Sequence, residues 1–361
     1  MAHVVACEGY GVSPVRTGGE AVIGNLVDDL FAAKARADGK IIRVTKDVIV
    51  IEYDDPNIKN DHVFIGRRYG IVTGKTIPHD IVTDVAVGTK VFEGYVVAWN
   101  IGFFERDLLE EGGVVWKRGI PSTIALVDGP ETIEDSCRIG KALSKSLTMN
   151  TTKVKEITVN FAQAVTLLAN IGEKVSEDDV LAYLEDSVTA GTNIFDEFSL
   201  GSLDSMARLS PKADKAGTVS KIDVIYNGDL EDASESVREL VTTYDSQRAK
   251  LARKYNDGRV TTGRASDLPM DTVVISIYID STNDAADCDK IVVGHQLKSV
   301  IGAILVGENK DIYGNDIDVF FAHMGVNDRI VMNLIYNGML NVLNEKANLR
   351  AVAAFDAAIG L

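Results

Sequence analysis

The sequence predicts a mixed α/β protein in which strands outnumber helices. β-Branched and apolar residues alternate with polar ones over Lys40–Asp55 (KIIRVTKDVIVIEYDD), Gly217–Gly228 and Asp271–Asp280, a pattern typical of strands with one buried face. Helical spacing of apolar residues is confined to fewer segments. The chain has 361 residues, of which 46% are hydrophobic, so it is long enough for two or three domains with cores of their own.

A short internal repeat belongs to the β part of the chain. Gly88–Ala98 reads GTKVFEGYVVA and Gly172–Ala182 reads GEKVSEDDVLA, and both fit G-x-K-V-x-E-x-x-V-[VL]-A. Glycine supplies a turn and the valines face a core. Similar units occur in biotinyl and lipoyl carrier domains, but no lysine here lies at a hairpin tip. We therefore expect the repeat to pack in small β-barrel units and not to carry a swinging arm.

Helices are predicted in the second half of the chain. Apolar residues recur every three or four positions over Glu235–Tyr255, and basic residues gather in the C-terminal half of that segment, as suits a helix dipole. A second helix is predicted over Ile330–Asn344, and a third is predicted in the Ala-rich tail after Asn348. The weakly patterned segment Asp186–Pro269 is rich in Ser, Asp, Gly and Lys and is predicted to be an insertion that leaves a rigid barrel.

Charge and composition exclude several functional classes. The net charge of −16 argues against this chain gripping a polyanion by itself, because like charges repel. No run of about 18 apolar residues is present, so no membrane partner is expected, and the N-terminus does not resemble a signal peptide. The 3 cysteines and 5 histidines lack metal-binding spacing, so reduced thiols in a cytoplasmic compartment are expected.

Acidic pairs are the commonest candidate for chemistry in this chain. Glu-Asp occurs at Glu134–Asp135, Glu177–Asp178, Glu185–Asp186 and Glu231–Asp232. Adjacent residues on a strand point to opposite faces, so a bare pair is not a chelate and each is first interpreted as solvated surface. Gly314–Phe320 (GNDIDVF) contains a D-x-D metal pattern, but its alternation fits an ordinary strand at least as well.

A smaller basic group is more informative. Lys290 and Lys298 bracket a turn that contains His295 (DKIVVGHQLKS), and Arg329 lies just before a predicted helix. Lysine offers a mobile point charge and arginine a planar fork, and both suit phosphate oxygens. The local pattern alone leaves a solvated or structural role open for these residues.

The last third of the chain resembles the C-terminal half of the β subunit of multisubunit DNA-dependent RNA polymerases. That family has G-D-K-M-A-G-R-H-G-N-K-G-V-I-S after a strand, and Cys288–Ile304 (CDKIVVGHQLKSVIGAI) is similar, with both lysines and the histidine in register. Three of the family's glycines are replaced by Val, Gln and Ser. Ile312–Leu340 resembles the next family motif, with Gly325, Val326 and Arg329 aligned. Asp318 then falls on a structural strand, which sets the D-x-D interpretation aside.

Upstream segments resemble the same family in the same order. Val85–Ala98 is similar to V-K-V-G-D-R-V-x-x-G-Q-V-L-A, and Ile124–Gly140 is similar to V-A-F-M-P-W-x-G-Y-N-F-E-D-A-I-L-I-S. The second match selects Glu134–Asp135 from the four acidic pairs. Asn170–Leu184 resembles a later motif, so the resemblance covers most of residues 35–340.

The resemblance implies a fold and a division of the chain. The fold is the double-psi β-barrel of the RNA polymerase β subunit, with barrel-sandwich-like and flap-like insertions. Residues 1–104 would hold N-terminal β segments and a first small-barrel unit, and 105–185 the first part of the barrel with a second small-barrel unit. Residues 186–269 would be the flap-like insertion, and 270–361 the second part of the barrel with C-terminal helices.

The resemblance also implies a nucleotidyltransferase function that this chain performs only within an assembly. Lys290, Lys298 and His295 would bind the RNA 3′ end and nucleotide phosphates, and Arg329 would bind the triphosphate of the incoming NTP. Glu134 and Asp135 would act indirectly on a second, nucleotide-borne Mg²⁺. The main catalytic Mg²⁺ would be held by the D-x-D-G-D loop of a β′-like partner chain.

Partners and location follow from the same resemblance. The family's N-terminal half and C-terminal clamp segment have no counterpart in this sequence, which is similar to the split-gene β subunits of giant (jumbo) bacteriophages. The expected partners are an N-terminal β-like chain, β′-like chains, DNA template, RNA transcript, NTPs and an initiation factor at the flap. The expected location is the cytoplasm of the infected bacterial host, or the virion.

Two rival functions are weighed beside this one. The first is a non-catalytic β-barrel scaffold or adaptor subunit of a nucleic-acid-processing complex, which has no need for all of these charged residues together. The second is a single-chain RNA-dependent polymerase, which would carry both barrels and the acidic loop on one chain. Neither the second barrel nor the acidic loop is found in this sequence.

Overall fold

The structure is a computed structural model of a protein that is mixed α/β and mostly β. It describes residues 5–13, 15–72, 75–185, 210–255, 262–294, 297–329 and 331–359, with only the backbone of 71–72, 75 and 251–255. Strands take 38% and helices 22% of the chain, so the coarser prediction of a mixed α/β, mostly β protein is confirmed. Among the described residues, no helix is long and apolar enough to cross a membrane.

The elements follow one another along the described residues in two stretches. The first stretch contains α1 (Gly19–Leu26), β1 (Ala32–Lys34), β2 (Gly39–Val44), β3 (Val48–Tyr53), β4 (Asp61–Phe64), β5 (Gly66–Val72), β6 (Lys75–Val82), β7 (Lys90–Val91), β8 (Val96–Asn100), β9 (Phe104–Arg106), β10 (Val114–Trp116), β11 (Ile124–Leu126), β12 (Ser136–Gly140) and α2 (Lys141–Ser146). The second contains β13 (Met149–Asn160), β14 (Ala164–Leu167), β15 (Lys174–Val175), β16 (Ala182–Glu185), β17 (Gly217–Asn227), a 3₁₀ turn (Leu230–Asp232), α3 (Glu235–Tyr255), β18 (Thr272–Asn283), β19 (Lys290–Val292), β20 (Lys298–Leu305), β21 (Val319–Phe321), α4 (His323–Asp328) and α5 (Met332–Ile359).

The largest sheet has eight strands in the order β1-β8-β6-β13-β18-β17-β15, with β5 beside β6. Its centre is the antiparallel pairing of the twelve-residue strands β13 and β18. One face of β18 buries Ile275, Ile277 and Ile279, and α3 adds Val237 and Val241 to the same core. The helix α3 has the bounds that its apolar spacing predicts. The apolar spacing was sufficient to predict these bounds because the apolar residues of α3 lie on one side of the helix and pack on one core.

The segment predicted to be an insertion contains part of this sheet. β17 pairs with β18 along nearly its whole length, and α3 packs on the shared core. Both elements are therefore integral to the large sheet. Residues 186–209 and 256–261 of the same segment lie outside the described residues.

The internal repeat adopts the same backbone course twice. In the first copy the Gly88 N–H donates to Ile41 O at 2.7 Å, and the Ile41 N–H donates to Thr89 O. In the second copy the Gly172 N–H donates to Val219 O at 2.7 Å, and the Val219 N–H returns the bond to the next residue of the repeat. Each copy thus attaches a two-residue strand to a longer one, β7 to β2 and β15 to β17.

A second, five-stranded sheet has the order β11-β21-β12-β20-β19. Two of its pairings are parallel, β11 with β21 and β12 with β20, and two are antiparallel, β12 with β21 and β19 with β20. Its core contains the buried side chains of Cys137, Ile139, Leu297, Ile301 and Phe321. This sheet brings segments near residues 135, 300 and 320 together. No sheet closes into a barrel within the described ranges.

Two local predictions are corrected by the structure. The segments predicted as two C-terminal helices form the single 28-residue helix α5, because no glycine or proline separates Asn344 from the Ala-rich tail. Within GNDIDVF, only Val319 and Phe320 belong to a strand. Asp316 and Asp318 precede it, and the Asp318 carboxylate accepts a 2.8 Å hydrogen bond from the Thr123 N–H.

Candidate functional site

The loop between β11 and β12 presents the predicted acidic pair, Glu134 and Asp135. Its fold is fixed from inside by Thr132, which is 1% exposed and whose hydroxyl donates to Val127 O at 3.1 Å. The Ser136 hydroxyl closes the far end of the loop by donating to Glu131 O at 2.7 Å. Glu134 has φ 54°, a left-handed conformation that turns the chain sharply just before β12. Both acidic side chains are exposed as a result.

Asp135 connects three segments that are distant in the sequence. Its carbonyl accepts a 2.8 Å hydrogen bond from the Val300 N–H on β20. Its carboxylate accepts a hydrogen bond from the guanidinium of Arg329, which is the C-cap residue of α4. The Arg329 side chain stays 40% exposed, so the pairing with Asp135 covers it only in part. The acidic loop, the strand that Lys298 begins and the end of α4 therefore meet at one place.

The short helix α4 is attached to the acidic loop at both of its ends. At its start, His323 Nδ1 lies 2.7 Å from Asp128 Oδ2, and at its end Arg329 pairs with Asp135. Between them, a Cβ added to Gly325 would lie 3.5 Å from the Glu134 carbonyl oxygen. This distance is an ordinary van der Waals contact, so the helix lies directly beside the loop.

Lys290 and Lys298 lie on one face of the β19–β20 hairpin. Lys290 is opposite Val300 and Val292 is opposite Lys298, and residues opposite each other or two apart share a face. The Cα atoms of the two lysines are therefore about 7–8 Å apart on the diagonal, and both side chains are exposed. The hairpin is held by a 2.9 Å bond from the Val293 N–H to Leu297 O. His295 lies outside the described residues.

The predicted residues thus form two neighbouring groups. Glu134, Asp135 and Arg329 line an open depression of about 420 Å³, together with Ala322, Met324, Gly325 and Asp328. The lysines lie on the hairpin beside it, because β12 and β20 run parallel with Ser136 opposite Val300. The acidic pair and Lys298 therefore lie at the same end of the sheet.

The sequence did not single out every residue of this site. Asp328 adds a third carboxylate to the depression, and the contact between Asp128 and His323 fixes α4. The segment between β21 and Arg329 is six helical residues long, which is too short for an apolar periodicity to reveal it. These residues could have been found only from the three-dimensional position of α4 beside the acidic loop, which no sequence pattern shows.

The chemical groups that the site offers are charged side chains and not a reactive nucleophile. Burial raises the pKa of the Cys137 thiol beneath the site, so it stays protonated and is a poor nucleophile. The exposed carboxylates are hard oxygen donors, and Mg²⁺ is commonly bound through one or two carboxylates plus substrate phosphates. Across the described ranges, no group of three or more His, Cys, Asp or Glu residues forms a cage for a metal. Glu134 and Asp135 therefore offer exposed carboxylate oxygens of the kind that bind hard cations.

Comparisons with known proteins give no family for this chain. No protein-family model matches it, and no curated protein matches its sequence significantly.

Proposed function

We propose that this chain is a subunit of a multisubunit DNA-directed RNA polymerase, in which it supplies β-side residues that bind the RNA 3′ end and the incoming NTP. The observation that carries the proposal is the meeting of Asp135 with Arg329 beside the strand of Lys298. The polymerase resemblance selected these residues from motifs about 194 positions apart. A chance similarity of motifs gives no reason for them to converge in space.

The finer fold belongs to the same proposal. The five-stranded sheet is proposed to be part of a double-psi β-barrel of the RNA polymerase β subunit, with barrel-sandwich-like and flap-like insertions. Support comes from its interleaved topology, in which β12 pairs in parallel with β20 and β11 with β21. Such pairings need long connections, and here the connection from β12 to β20 contains most of the large sheet.

The proposed reaction places the positive charges of the chain on phosphate groups. The RNA 3′ oxygen attacks the α-phosphorus of the NTP, and the bond to the β-phosphate oxygen breaks to release pyrophosphate. Lys298 and Lys290 hold the transcript end and the phosphates, and the Arg329 fork binds the triphosphate. These fixed cations stabilise the charge that builds up during in-line transfer. Mg²⁺, when bound, supplies further Lewis-acid stabilisation of the phosphate charge.

Asp135 has a positioning role in this proposal. Its carboxylate holds the Arg329 guanidinium at the depression before a nucleotide arrives, and the exposed part of the fork remains free for phosphate oxygens. Arginine can satisfy both groups because its donors are arranged as a planar fork. Glu134, turned out by its left-handed backbone, faces the same depression.

The partners in this proposal are an N-terminal β-like chain and β′-like chains, one of which bears the D-x-D-G-D loop and the main catalytic Mg²⁺. The other partners are DNA template, RNA transcript, NTPs and an initiation factor at the flap-like segment. The setting is the cytoplasm of a bacterium infected by a phage, or the virion. A second candidate, a non-catalytic scaffold subunit, is favoured by the exposed apolar helix α5 but leaves the charged site without a role.

The test isolates the tagged full-length chain from its native source with the chains that bind it. RNA primer extension is then measured on an RNA–DNA scaffold with and without Mg²⁺. Mg²⁺-dependent extension, with a companion chain that carries D-x-D-G-D, is expected. A stable complex that contains such a companion and never extends RNA would overturn the polymerase function in favour of the scaffold.

A further inference from the structure

The helix α5 exposes more apolar surface than any other described element. Its 28 residues include no buried side chain, and it is about 42 Å long at 1.5 Å per residue. Ten of its large apolar side chains are 41% to 64% exposed: Met332, Tyr336, Met339, Leu340, Val342, Leu343, Leu349, Val352, Phe355 and Ile359. A helix with apolar residues on several sides is normally covered by other protein.

The apolar residues of α5 form two stripes on opposite sides of the helix. The first half carries a stripe with steps of four, three and four residues: Met332, Tyr336, Met339 and Leu343. The second half carries one with steps of three, three and four residues: Leu349, Val352, Phe355 and Ile359. Leu343 and Val352 are nine residues apart, which is about 2.5 turns. The apolar side therefore changes to the opposite face midway along α5.

Asparagines mark the face that the first stripe leaves free. They recur at steps of four, four, three and four residues: Asn333, Asn337, Asn341, Asn344 and Asn348. Val352 lies about three turns beyond Asn341 on the same side, so this face is polar in the first half of α5 and apolar in the second. The helix has two acidic and two basic residues and is electrically neutral within a chain of net charge −16.

The α5 helix of a second copy, lying alongside, is a poor cover for such a helix. A helix about 42 Å long and about 10 Å wide has roughly 1,300 Å² of outer surface, and a helix beside it covers roughly a third, or about 400 Å². A stable interface buries about 800 Å² on each partner. A single neighbouring helix would also contact one face only, which leaves one of the two stripes in water.

The start of α5 is fixed against the candidate site. Val331, Leu334 and Ile335 pack on the core of the five-stranded sheet. A Cβ added to Gly294 of the lysine hairpin would lie 3.2 Å from Leu334 Cδ1. Beyond this anchor most of the described side chains of α5 are exposed, so whatever surrounds the helix comes close to the hairpin of Lys290 and Lys298.

We propose that α5 lies in an apolar groove of a companion protein chain, which contacts one side of the helix at Leu343 and the opposite side at Val352. The groove has few charges, because α5 is neutral, and it meets the asparagine face with polar groups or leaves it in water. This is helix-in-groove recognition in which the side of α5 that contacts the groove changes to the opposite side midway along the helix. It rests on α5 alone and holds whether or not the assembly makes RNA.

The experiment places a photo-crosslinking amino acid at Leu343 or at Val352 in the tagged full-length chain, purified with its stoichiometric companions. Both positions are expected to crosslink to the same companion chain. Leu343→Glu and Val352→Glu are each expected to weaken retention of that companion at least tenfold. The matched control is Asn333→Glu, which adds the same charge to an exposed position of the asparagine face in the first half of the helix and is expected to retain the companion.

Three outcomes would overturn the proposal. The first is equal retention of the companion by Leu343→Glu, Val352→Glu and Asn333→Glu. The second is a stable dimer of the chain alone that the first two substitutions dissociate, since a second copy would then cover the helix. The third is the absence of a common crosslinked chain. Equal thermal unfolding midpoints of the three variants exclude misfolding. RNA extension is measured separately, so a failure of the polymerase proposal can be distinguished from a failure of the proposal for α5.

Discussion

The loop of Glu134–Asp135 and the turn of Glu177–Asp178 have the same dipeptide and very different surroundings. Both pairs are exposed, and each contains one residue with a left-handed backbone, Glu134 at φ 54° and Asp178 at φ 69°. By sequence and local conformation alone they are alike. What distinguishes them is the group that each carboxylate faces.

The internal repeat explains the left-handed residue of the second pair. Asp178 occupies the repeat position of Gly94, which has φ 89°. The Gly94 N–H donates to Ala35 O at 2.9 Å, and the Asp178 N–H donates to Ala213 O at the same distance. The conformation therefore belongs to the turn and not to the carboxylate, since glycine serves equally well in the first copy.

The first pair has no counterpart in the repeat. Its left-handed residue precedes β12, and its carboxylates line a depression with Arg329. Asp135 is held between Val300 and Arg329 by its carbonyl and its carboxylate. An unusual φ at an acidic residue is thus a poor indicator of function by itself. A cation brought opposite the carboxylate by a distant segment is a better one.

The largest expected effect separates the two regions by activity. In the purified assembly, Lys298→Ala and Arg329→Ala are each expected to slow single-nucleotide addition by about 10²-fold or more, because a fixed charge aimed at the transition state is lost. Retention of companion chains should be unchanged, since both side chains are exposed. Rapid-quench measurement of one addition step checks this.

Matched controls come from the second region. Lys174 is exposed and begins β15 as Lys298 begins β20, so Lys174→Ala removes the same charge from a similar strand position. It should leave the addition rate within about twofold, as should Glu177→Gln with Asp178→Asn. Full-rate addition by the Lys298 and Arg329 variants would remove the site assignment while leaving the fold untouched.

A second prediction tests whether the turn is shared by both copies of the repeat. Gly94→Val and Asp178→Val place a β-branched side chain at positive φ, so each is expected to lower the free energy of unfolding by about 1–3 kcal/mol. Urea unfolding of the full chain measures the change. Equal losses of unfolding free energy at the two positions would show that the two turns are equivalent in stability as well as in conformation. A loss at Gly94 alone would break it.

The sequence could predict those features that depend on local periodicity. The bounds of α3 follow from three- to four-residue spacing, and the alternation and β-branched residues of Lys40–Asp55 predict the strands β2 and β3. The pairing of β12 with β20 joins residues about 164 positions apart, and no local pattern specifies such a partner. The contact of Asp135 with Arg329 depends on that pairing, so only the polymerase resemblance suggested these residues together.

A third, smaller effect is a difference in how stability near the two copies of the internal repeat depends on pH. The first copy leads into β8, whose last residue, Asn100, lies 2.8 Å from Nδ1 of the buried His79. Burial lowers the pKa of His79, against the opposing effect of Asp80. The unfolded chain therefore binds a proton that the folded chain does not. Stability contributed by this group is present above the unfolded pKa of about 6.5 and falls as the pH drops below it.

The matched variant is His79→Gln, which keeps a polar group beside Asn100 and removes the titration. Urea unfolding between pH 7.5 and pH 5.5 should show a steeper loss of stability in the natural chain than in the variant. Near the second copy, Asp223 has a pKa lowered by Lys221 and Arg248 despite the opposing effect of burial, so its contribution disappears only below about pH 4. Identical slopes for the natural chain and His79→Gln would refute the assignment.

The smallest expected effect is the most direct test of the difference between the two acidic pairs. Asp178→Gly converts the second copy of the repeat to the residue of the first, and glycine adopts φ 69° without the strain of a side chain. It should leave the free energy of unfolding within about 1 kcal/mol of the natural chain and the nucleotide-addition rate unchanged. Urea unfolding and the extension assay measure both. A large loss of activity would mean that the Asp178 carboxylate has a role that the repeat does not explain, and the distinction between the two acidic pairs would fail.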